Sequence, residues 1–109
     1  MTGFHVYIVT NPKKSVLYTG MTNNLEYRII EHYKERGKIE TFAGRYFCYC
    51  LLYYEFHNSA IGAIAREKEI KKLSRKLKEE LIDSLNPDRL FLNNEITPWP
   101  PEPDVGTRY

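Results

Sequence analysis

The chain has 109 residues, of which 42% are hydrophobic and 28% are charged, and its formal net charge is +2. A chain of this length can bury one small core, so we expect one domain, and a second catalytic domain would have to come from a partner chain. No run of about 18 apolar residues is present, which excludes a bilayer-spanning segment, and the N-terminus lacks a signal-peptide pattern, so we expect a cytoplasmic protein.

The charge is unevenly distributed along the chain. Residues 1–80 contain 14 Lys and Arg against 9 Asp and Glu, whereas residues 81–109 contain 2 against 5. The first 80 residues are therefore moderately basic, which is compatible with nucleic-acid binding. A solvated helix face rich in Lys and Glu has the same composition and is the more common case.

Two short runs near the N-terminus predict a β-hairpin. FHVYIV, residues 4–9, and VLYTGM, residues 16–21, are rich in β-branched and aromatic residues, and the Asn-Pro pair between them is typical of a turn. If residues 12 and 13 lie at the centre of the turn, antiparallel pairing places Tyr7 opposite Tyr18 on one face of the sheet. Gly20 then ends the second strand, where a substrate backbone can approach.

A helix is predicted from about Asn24 to Arg36. Asn23 can cap its first turn, and Gly37 can end it. Arg28 and His32 are one turn apart at the edge of the apolar stripe, from which a side chain can reach over the sheet. The stripe consists of Leu25, Ile29 and Tyr33.

The rest of the chain predicts one more strand and two more helices. Residues 38–46 have loop character, residues 46–56 form an aromatic and aliphatic run typical of a buried strand, and a helix follows over residues 59–73. Ser74 can cap a last helix that Pro87 ends. The proline-rich residues 97–109 are predicted to be a disordered or loosely docked tail, so the domain spans residues 1–96. The predicted fold is α+β, in the order β-β-α-β-α-α.

Glu67 is the most informative single residue. A projection at about 100° per residue places its carboxylate on the apolar arc of its helix, where a charge is costly unless another charge meets it. An ion pair with Lys71, one turn further on, explains it structurally. Coordination of one Mg²⁺ or Mn²⁺ explains it functionally, because these ions take one or two protein carboxylates and keep several waters. The apolar arc consists of Ala60, Ile61, Ala63, Ile64 and Ile70.

Two charged or titratable residues of the first helix also have two interpretations each. Arg28 either forms a salt bridge with Glu31 or Glu35, or uses its forked guanidinium to hold a phosphate. His32 beside an apolar stripe is usually structural, but next to two tyrosines and an arginine it is a candidate proton carrier.

The segment from Gly37 to Tyr46 is a candidate substrate-binding loop. Lys38 and Arg45 can track phosphates, and the rings of Phe42 and Tyr46 can stack on bases. A later helix is also rich in Lys and Arg, and there solvated side chains are the default interpretation.

Several motifs together resemble the GIY-YIG nuclease superfamily. They are HVY at residues 5–7, YTG at residues 18–20, Arg28, His32, and Glu67 within AIAREKEIKKLSR. The likeness is greatest to the small single-domain bacterial branch, related to the N-terminal nuclease domain of the excinuclease C subunit, and it covers residues 4–87. The sequence departs from the family pattern at His5, Val6 and Thr19, which replace Gly, Ile and Ile, but both tyrosines and Gly20 are kept.

The resemblance implies a three-stranded antiparallel sheet flanked by helices, and hydrolysis of phosphodiester bonds in DNA, or in RNA, with one divalent metal ion. By position, Tyr7 and Tyr18 would orient or deprotonate the attacking water, and Arg28 would hold the scissile phosphate. Glu67 would bind the metal, and His32 would assist proton transfer. Many members also have an asparagine close to the site, for which the candidates here are Asn86, Asn93 and Asn94.

We therefore expect a metal-dependent DNA endonuclease that is structure-directed or weakly sequence-specific, because the domain carries no added recognition module. The alternative is a non-catalytic nucleic-acid-binding module on the same scaffold that acts through a protein partner. A third interpretation, an interaction protein with a tyrosine-rich surface, is disfavoured because such a surface has no need of an acid on an apolar helix face.

Overall fold

A three-stranded antiparallel sheet with helices on both faces makes up the fold. The computed structural model describes residues 3–101. Its elements are β1 (Phe4–Thr10), β2 (Leu17–Thr22), α1 (Leu25–Lys34), α2 (Phe42–Arg45), β3 (Cys50–His57), α3 (Ala60–Lys71), α4 (Arg75–Leu85) and α5 (Asn93–Ile96). The predicted α+β class and three-stranded sheet are confirmed, and two short helices, α2 and α5, are added to the predicted order.

The middle strand of the sheet is β1, which lies between β2 and β3 in the order β2-β1-β3. Successive residues of a strand point to opposite faces, so β1 divides the core into two clusters. Tyr7 and Val9 pack with Leu25 and Ile29 of α1. On the other face, Val6 and Ile8 pack with buried residues of α3 and α4, namely Ala63, Ile70 and Ile82.

The predicted register of the hairpin is wrong by two residues. Tyr7 pairs with Gly20, and Tyr18 pairs with Val9. The reason is the side chain of Asn11, whose Oδ1 accepts hydrogen bonds from the backbone N–H groups of residues 15 and 16, at 2.8 and 3.1 Å, and so lengthens the turn. Because a shift of two residues keeps a side chain on the same face, both tyrosines still face α1.

The prediction that Gly20 ends its strand is also wrong, since β2 continues to Thr22. A Cβ atom at Gly20 would lie 2.4 Å from the hydroxyl oxygen of Tyr7 and 2.6 Å from its Cζ. The space that glycine leaves open is therefore filled by the ring of Tyr7. The expected contact of Gly20 with a substrate backbone stays a prediction.

Three boundaries differ from the prediction for local reasons. Asn24, not Asn23, caps α1, and its side chain accepts from the N–H of Tyr27 at 3.0 Å. Thr41 caps the short helix α2 within the predicted loop, where its hydroxyl accepts from Gly44 N–H. The third strand begins at residue 50 rather than 46, because Phe47 has a φ of 58°, which no strand accommodates.

Only part of the predicted apolar arc of α3 is covered by the sheet. Ala63 and Ile70 are fully buried, but Ile61 is 83% exposed and Ile64 is 40% exposed. Glu67 lies one turn from each of the buried residues, so it shares their stripe, as predicted. The arc calculated from the sequence was wider than the surface that the sheet offers.

The C-terminal part of the described chain packs on the domain. Asn93 completes the start of β3, since its Oδ1 accepts from Leu51 N–H at 2.9 Å and its Nδ2 donates to Tyr49 O at 2.9 Å. Trp99 packs edge-on against Tyr33 at 5.2 Å between ring centroids. The first residues of the predicted tail thus pack on the domain, and its part beyond residue 101 lies outside the described residues. No helix within residues 3–101 is long and apolar enough to cross a membrane.

We predict that Gly20→Ala lowers the free energy of unfolding by about 1–3 kcal/mol, because the added methyl group forces Tyr7 out of its position. Urea denaturation measures this change. Gly62→Ala in α3 is the matched control, since its Cβ would meet Ser59 Oγ at 3.1 Å and a helix interior favours alanine by about 0.5–1 kcal/mol. Equal stabilities of the two variants would contradict the close approach of Tyr7 to Gly20.

Candidate active site

The five predicted catalytic residues come from four elements. Tyr7 is in β1, Tyr18 in β2, Arg28 and His32 in α1, and Glu67 in α3. The two tyrosines face α1 because they occupy the same side of the hairpin. The structure brings their rings into contact with His32, and it brings two charged groups close to Tyr7.

The centre of the site is a hydrogen bond between Tyr7 and His32. The hydroxyl oxygen of Tyr7 lies 2.8 Å from Nε2 of His32, and the ring centroids are 5.7 Å apart. Tyr7 is 1% exposed and His32 is 3% exposed. The sequence placed His32 at the edge of the helix stripe, but in the structure it is inside the core.

Burial determines the protonation of this pair. It lowers the pKa of His32 to about 4, with a further contribution from the nearby Arg28 guanidinium. Burial also raises the pKa of Tyr7 well above its usual value, against an opposing effect of Arg28. At pH 7 the imidazole is therefore neutral and the phenol is protonated. In this state the hydroxyl can donate to Nε2, and the imidazole is available as a proton acceptor.

The ring of Tyr18 packs edge-on against the same histidine. Its ring centroid is 5.7 Å from that of His32, with the planes at 70°. On its other side it stacks on Phe42 of α2, at 6.1 Å and 25°. Tyr18 is only partly buried, so unlike Tyr7 it retains contact with solvent.

Arg28 lies at the rim of the site, and its side chain is 28% exposed. Its Nη1 donates to Oε1 of Glu31, which is the structural interpretation of this residue that the sequence allowed. Burial alone lowers the pKa of Arg28, but its proximity to Tyr7 and Glu31 raises it overall. A guanidinium has five N–H donors, so the bond to Glu31 leaves others for a phosphate.

Glu67 lies on α3, which packs on the face of the sheet opposite α1, and its side chain is 21% exposed. Its Oε2 lies 3.2 Å from Nζ of Lys71, so the ion pair of the structural interpretation is present. Its charge is close enough to Tyr7 to contribute to the raised pKa of that phenol. Within residues 3–101 no group of three or more His, Cys, Asp or Glu could hold a metal. A single, partly buried carboxylate fits an ion that keeps most of its waters.

The predicted substrate-binding residues lie on and beside α2. Lys38 and Arg45 are exposed, and Arg45 donates to the carbonyl of Ile39 at 2.9 Å, which ties its side chain to the loop. Tyr46 is 42% exposed, and its ring lies 4.8 Å from that of Phe42. These residues lie on one short segment, and Phe42 connects it to Tyr18.

The asparagines near the end of the domain have structural hydrogen bonds. The Nδ2 of Asn86 donates to the carbonyls of Leu52 and Leu90 at 3.0 and 2.8 Å, and Asn93 bonds the backbone of β3. Asn94 is exposed. The two buried side-chain amides are thus occupied by backbone groups.

The sequence indicates Phe42 as a ring that can stack on bases, but it does not predict the contact of Phe42 with Tyr18, which joins α2 to the site. The signal was weak, since Thr41 is a helix cap and the four residues that follow it are too few to show a helical period.

We predict that acidification destabilises the fold through His32. The pKa of the His32 imidazole is about 4 in the folded chain, whereas the unfolded chain has the ordinary value of 6.5. Between these two values the unfolded chain therefore binds more protons than the folded chain as the pH falls. The stability that the neutral ring contributes is present above pH 6.5 and is lost progressively towards pH 4. From this residue alone, the free energy of unfolding should fall by roughly 2 kcal/mol between pH 7 and pH 4.5, measured by urea denaturation.

His32→Gln is the control, because an amide is uncharged throughout this range and can still accept from the Tyr7 hydroxyl. Its stability should depend less on pH than that of the wild type by the same roughly 2 kcal/mol. The same pH dependence in both proteins would rule out a buried neutral imidazole in the folded chain.

Comparison with known proteins identifies the family. The family model of the GIY-YIG catalytic domain matches residues 3–80. A UPF0213 protein of Staphylococcus haemolyticus is 40% identical over 83 residues, which cover 76% of this chain and 98% of that protein. A UPF0213 protein of Clostridium perfringens is 45% identical over 88 residues, which cover 73% of this chain and 83% of that protein.

A third relative, a UPF0213 protein of Natronomonas pharaonis, is 39% identical over 82 residues, which cover 75% of this chain and 94% of that protein. No solved structure gives a significant match to the chain. From the family match and the relatives together, the chain belongs to the GIY-YIG catalytic domain family of nucleases, among the UPF0213 proteins.

Proposed function

We propose that this protein is a divalent-metal-dependent endonuclease that hydrolyses phosphodiester bonds in DNA, with structure-directed or weakly sequence-specific cleavage. The observation that carries the proposal is the buried hydrogen bond between Tyr7 and His32, at 2.8 Å, beside the Arg28 guanidinium. A polar pair costs free energy in a hydrophobic core, and here it supplies what hydrolysis of a phosphodiester needs first, a protected proton acceptor.

The proton transfer runs from the attacking water to the pair. As the water oxygen forms its bond to phosphorus, the bond from phosphorus to the leaving sugar oxygen breaks, and that oxygen takes a proton from solvent. The proton of the attacking water moves to the hydroxyl oxygen of Tyr7, and the proton of Tyr7 moves to Nε2 of His32. The neutral state of His32 supports this direction, because a protonated ring has no free acceptor at Nε2. Tyr18 retains solvent contact and orients the water from the open side of the site.

Arg28 binds the scissile phosphate. A guanidinium matches two phosphate oxygens with parallel N–H donors, and it counters the negative charge that grows at phosphorus in the transition state. Its position at the rim, next to the Tyr7 phenol, supports this role.

Glu67 would hold one Mg²⁺ or Mn²⁺. The ion would supply positive charge that stabilises the negative charge developing at phosphorus. The carboxylate is suited to this because it is partly buried, faces the sheet on the stripe of Ala63 and Ile70, and is held by a single exposed lysine, Lys71.

A second candidate function is a non-catalytic nucleic-acid-binding module that acts through a protein partner. The observation that favours it is that both charged groups of the site are already paired on their own helices, Arg28 with Glu31 and Glu67 with Lys71. Such a module would bind nucleic acid in a salt-sensitive manner, independently of Glu67.

We predict that Tyr7→Phe and Glu67→Gln each lower the initial rate of plasmid nicking in Mg²⁺ or Mn²⁺ by about 10²–10³-fold, because each removes a group that acts in the transition state. Lys71→Met is the matched control, since it breaks the same ion pair but leaves the carboxylate in place. We expect its rate to stay close to that of the wild type.

Two results would decide against this assignment. If the wild-type protein cleaves no form of DNA or RNA in either metal, the proposed activity is wrong. If Glu67→Gln and Lys71→Met reduce nicking equally, the carboxylate serves the ion pair and not the metal.

A separate prediction concerns Arg28. Arg28→Lys keeps the positive charge but loses the two parallel N–H donors of the guanidinium. Nicking should therefore slow by about 10- to 100-fold, which is the effect of losing one hydrogen bond to a charged group. Glu31→Gln releases the guanidinium, and its nicking rate should equal or exceed that of the wild type. A loss of rate in Glu31→Gln as large as in Arg28→Lys would mean that the ion pair itself is what the site requires.

A further inference from the structure

Three aromatic rings form a row that begins inside the site and continues onto the surface. Tyr18 contacts His32, with ring centroids 5.7 Å apart, and stacks on Phe42 at 6.1 Å. Phe42 in turn lies 4.8 Å from Tyr46, with the planes at 52°. We call Tyr18, Phe42 and Tyr46 the aromatic row.

The outer part of the aromatic row is uncovered. Phe42 is 49% exposed and Tyr46 is 42% exposed. Full burial of a large apolar side chain stabilises a fold by about 1.5–3 kcal/mol, and here two adjacent rings forgo much of that gain. Flat apolar faces that are kept open beside an active site are available to a ligand with flat faces of its own.

The backbone that carries Phe42 is fixed tightly to the end of α1. Gly37 N–H donates to the carbonyl of Gly44 at 2.8 Å. A Cβ atom at Gly44 would lie 2.6 Å from the carbonyl oxygen of Lys38 and 2.8 Å from that of Glu35, so the two backbones are in direct contact. The row is therefore held in place before any ligand binds, which lowers the entropy cost of binding.

Basic residues lie on the same segment as the row and on the neighbouring helix α1. Arg28 lies at the rim of the site, Arg45 is in α2 next to Tyr46, and Lys38 is exposed in the loop before α2. Rings flanked by Lys and Arg fit a polyanion that also presents flat bases. In a duplex the faces of the bases are covered by their stacked neighbours, so a platform of this kind suits nucleotides that are unpaired.

We propose that the aromatic row is a stacking platform for unpaired nucleotides beside the scissile phosphate, with Phe42 as its central contact. The preferred substrate is then single-stranded nucleic acid, or a duplex with an unpaired segment. This proposal rests on the proposed function for what lies next to the platform, but the stacking itself requires neither metal nor cleavage.

The test is binding of the full chain to fluorescein-labelled DNA in EDTA, followed by fluorescence anisotropy. The ligands are a 20-nucleotide single strand and the blunt duplex of the same sequence. The wild type should bind the single strand more tightly, and Phe42→Ala should weaken that binding by about 5- to 150-fold, the effect of losing one stacked base. Duplex binding and the slope of affinity against salt should not change, because no charge is altered.

Three further variants separate stacking from general effects on the fold. Phe42→Trp should bind the single strand as the wild type does, whereas Phe42→Leu, which keeps apolar bulk without a ring, should bind as weakly as Phe42→Ala. Phe56→Ala is the matched control, since Phe56 is 50% exposed and lies in β3, the opposite edge strand from Tyr18. Its affinity for the single strand should equal that of the wild type.

The proposal is overturned if Phe42→Ala binds the single strand as tightly as the wild type, if Phe56→Ala weakens binding equally, or if duplex affinity falls by the same factor. Binding is measured without metal, so the two proposals can fail separately. If the protein cleaves nothing but needs Phe42 to bind the single strand, the stacking platform is supported and the proposed hydrolysis is wrong. If the protein cleaves DNA and Phe42→Ala binds the single strand as tightly as the wild type, the proposed hydrolysis is supported and the stacking platform is wrong.

Discussion

The hydrogen bond between Tyr7 and His32 is the constraint on which the rest of the site depends. It joins the middle strand of the sheet to α1, and both partners are almost completely buried. A buried hydroxyl or imidazole without a partner costs about 1–3 kcal/mol, so each group requires the other. The ring of Tyr7 can reach its position only because Gly20 in the next strand has no Cβ. Three positions on three elements are thus coupled by one contact.

This arrangement separates proton chemistry from charge. The groups that exchange protons in the proposed mechanism are inside, where the low dielectric keeps His32 neutral, and the groups that carry charge are partly exposed. Arg28 and Glu67 are each paired with a neighbour on the same helix. Pairs of this kind contribute only about 0.2–0.5 kcal/mol on a helix surface, so a phosphate or a metal ion can replace either partner at little cost.

The elements and the orientation of the candidate residues could be predicted from the sequence, because both follow from local periods. Alternation in the hairpin places the two tyrosines on one face, and the helical period places Glu67 on the stripe of Ala63 and Ile70. The helical period could not show that Ile61 is exposed, because the fraction of a helix that is covered depends on the element it packs against.

Each error of the prediction comes from a specific side-chain contact or from the backbone dihedral angle of one residue. The register depends on the Oδ1 of Asn11, and the start of β3 depends on the positive φ of Phe47. The burial of His32 depends on a tyrosine in another strand, and helical spacing could place it only at an edge. None of these effects repeats at the period of a helix or a strand, so the periodicity of apolar residues in the sequence could not reveal them.

The hydrogen bonds that Leu92 and Asn93 make with β3 bear on the extent of the domain. The family match ends at residue 80, yet Leu51 in β3 receives a hydrogen bond from Leu92 N–H at 2.8 Å and donates one to Asn93. These later residues satisfy backbone groups on an edge strand that would otherwise be open to pairing with another chain. A polypeptide ending at the family boundary would keep every candidate catalytic side chain, but it would expose the start of β3 as a site for intermolecular strand addition.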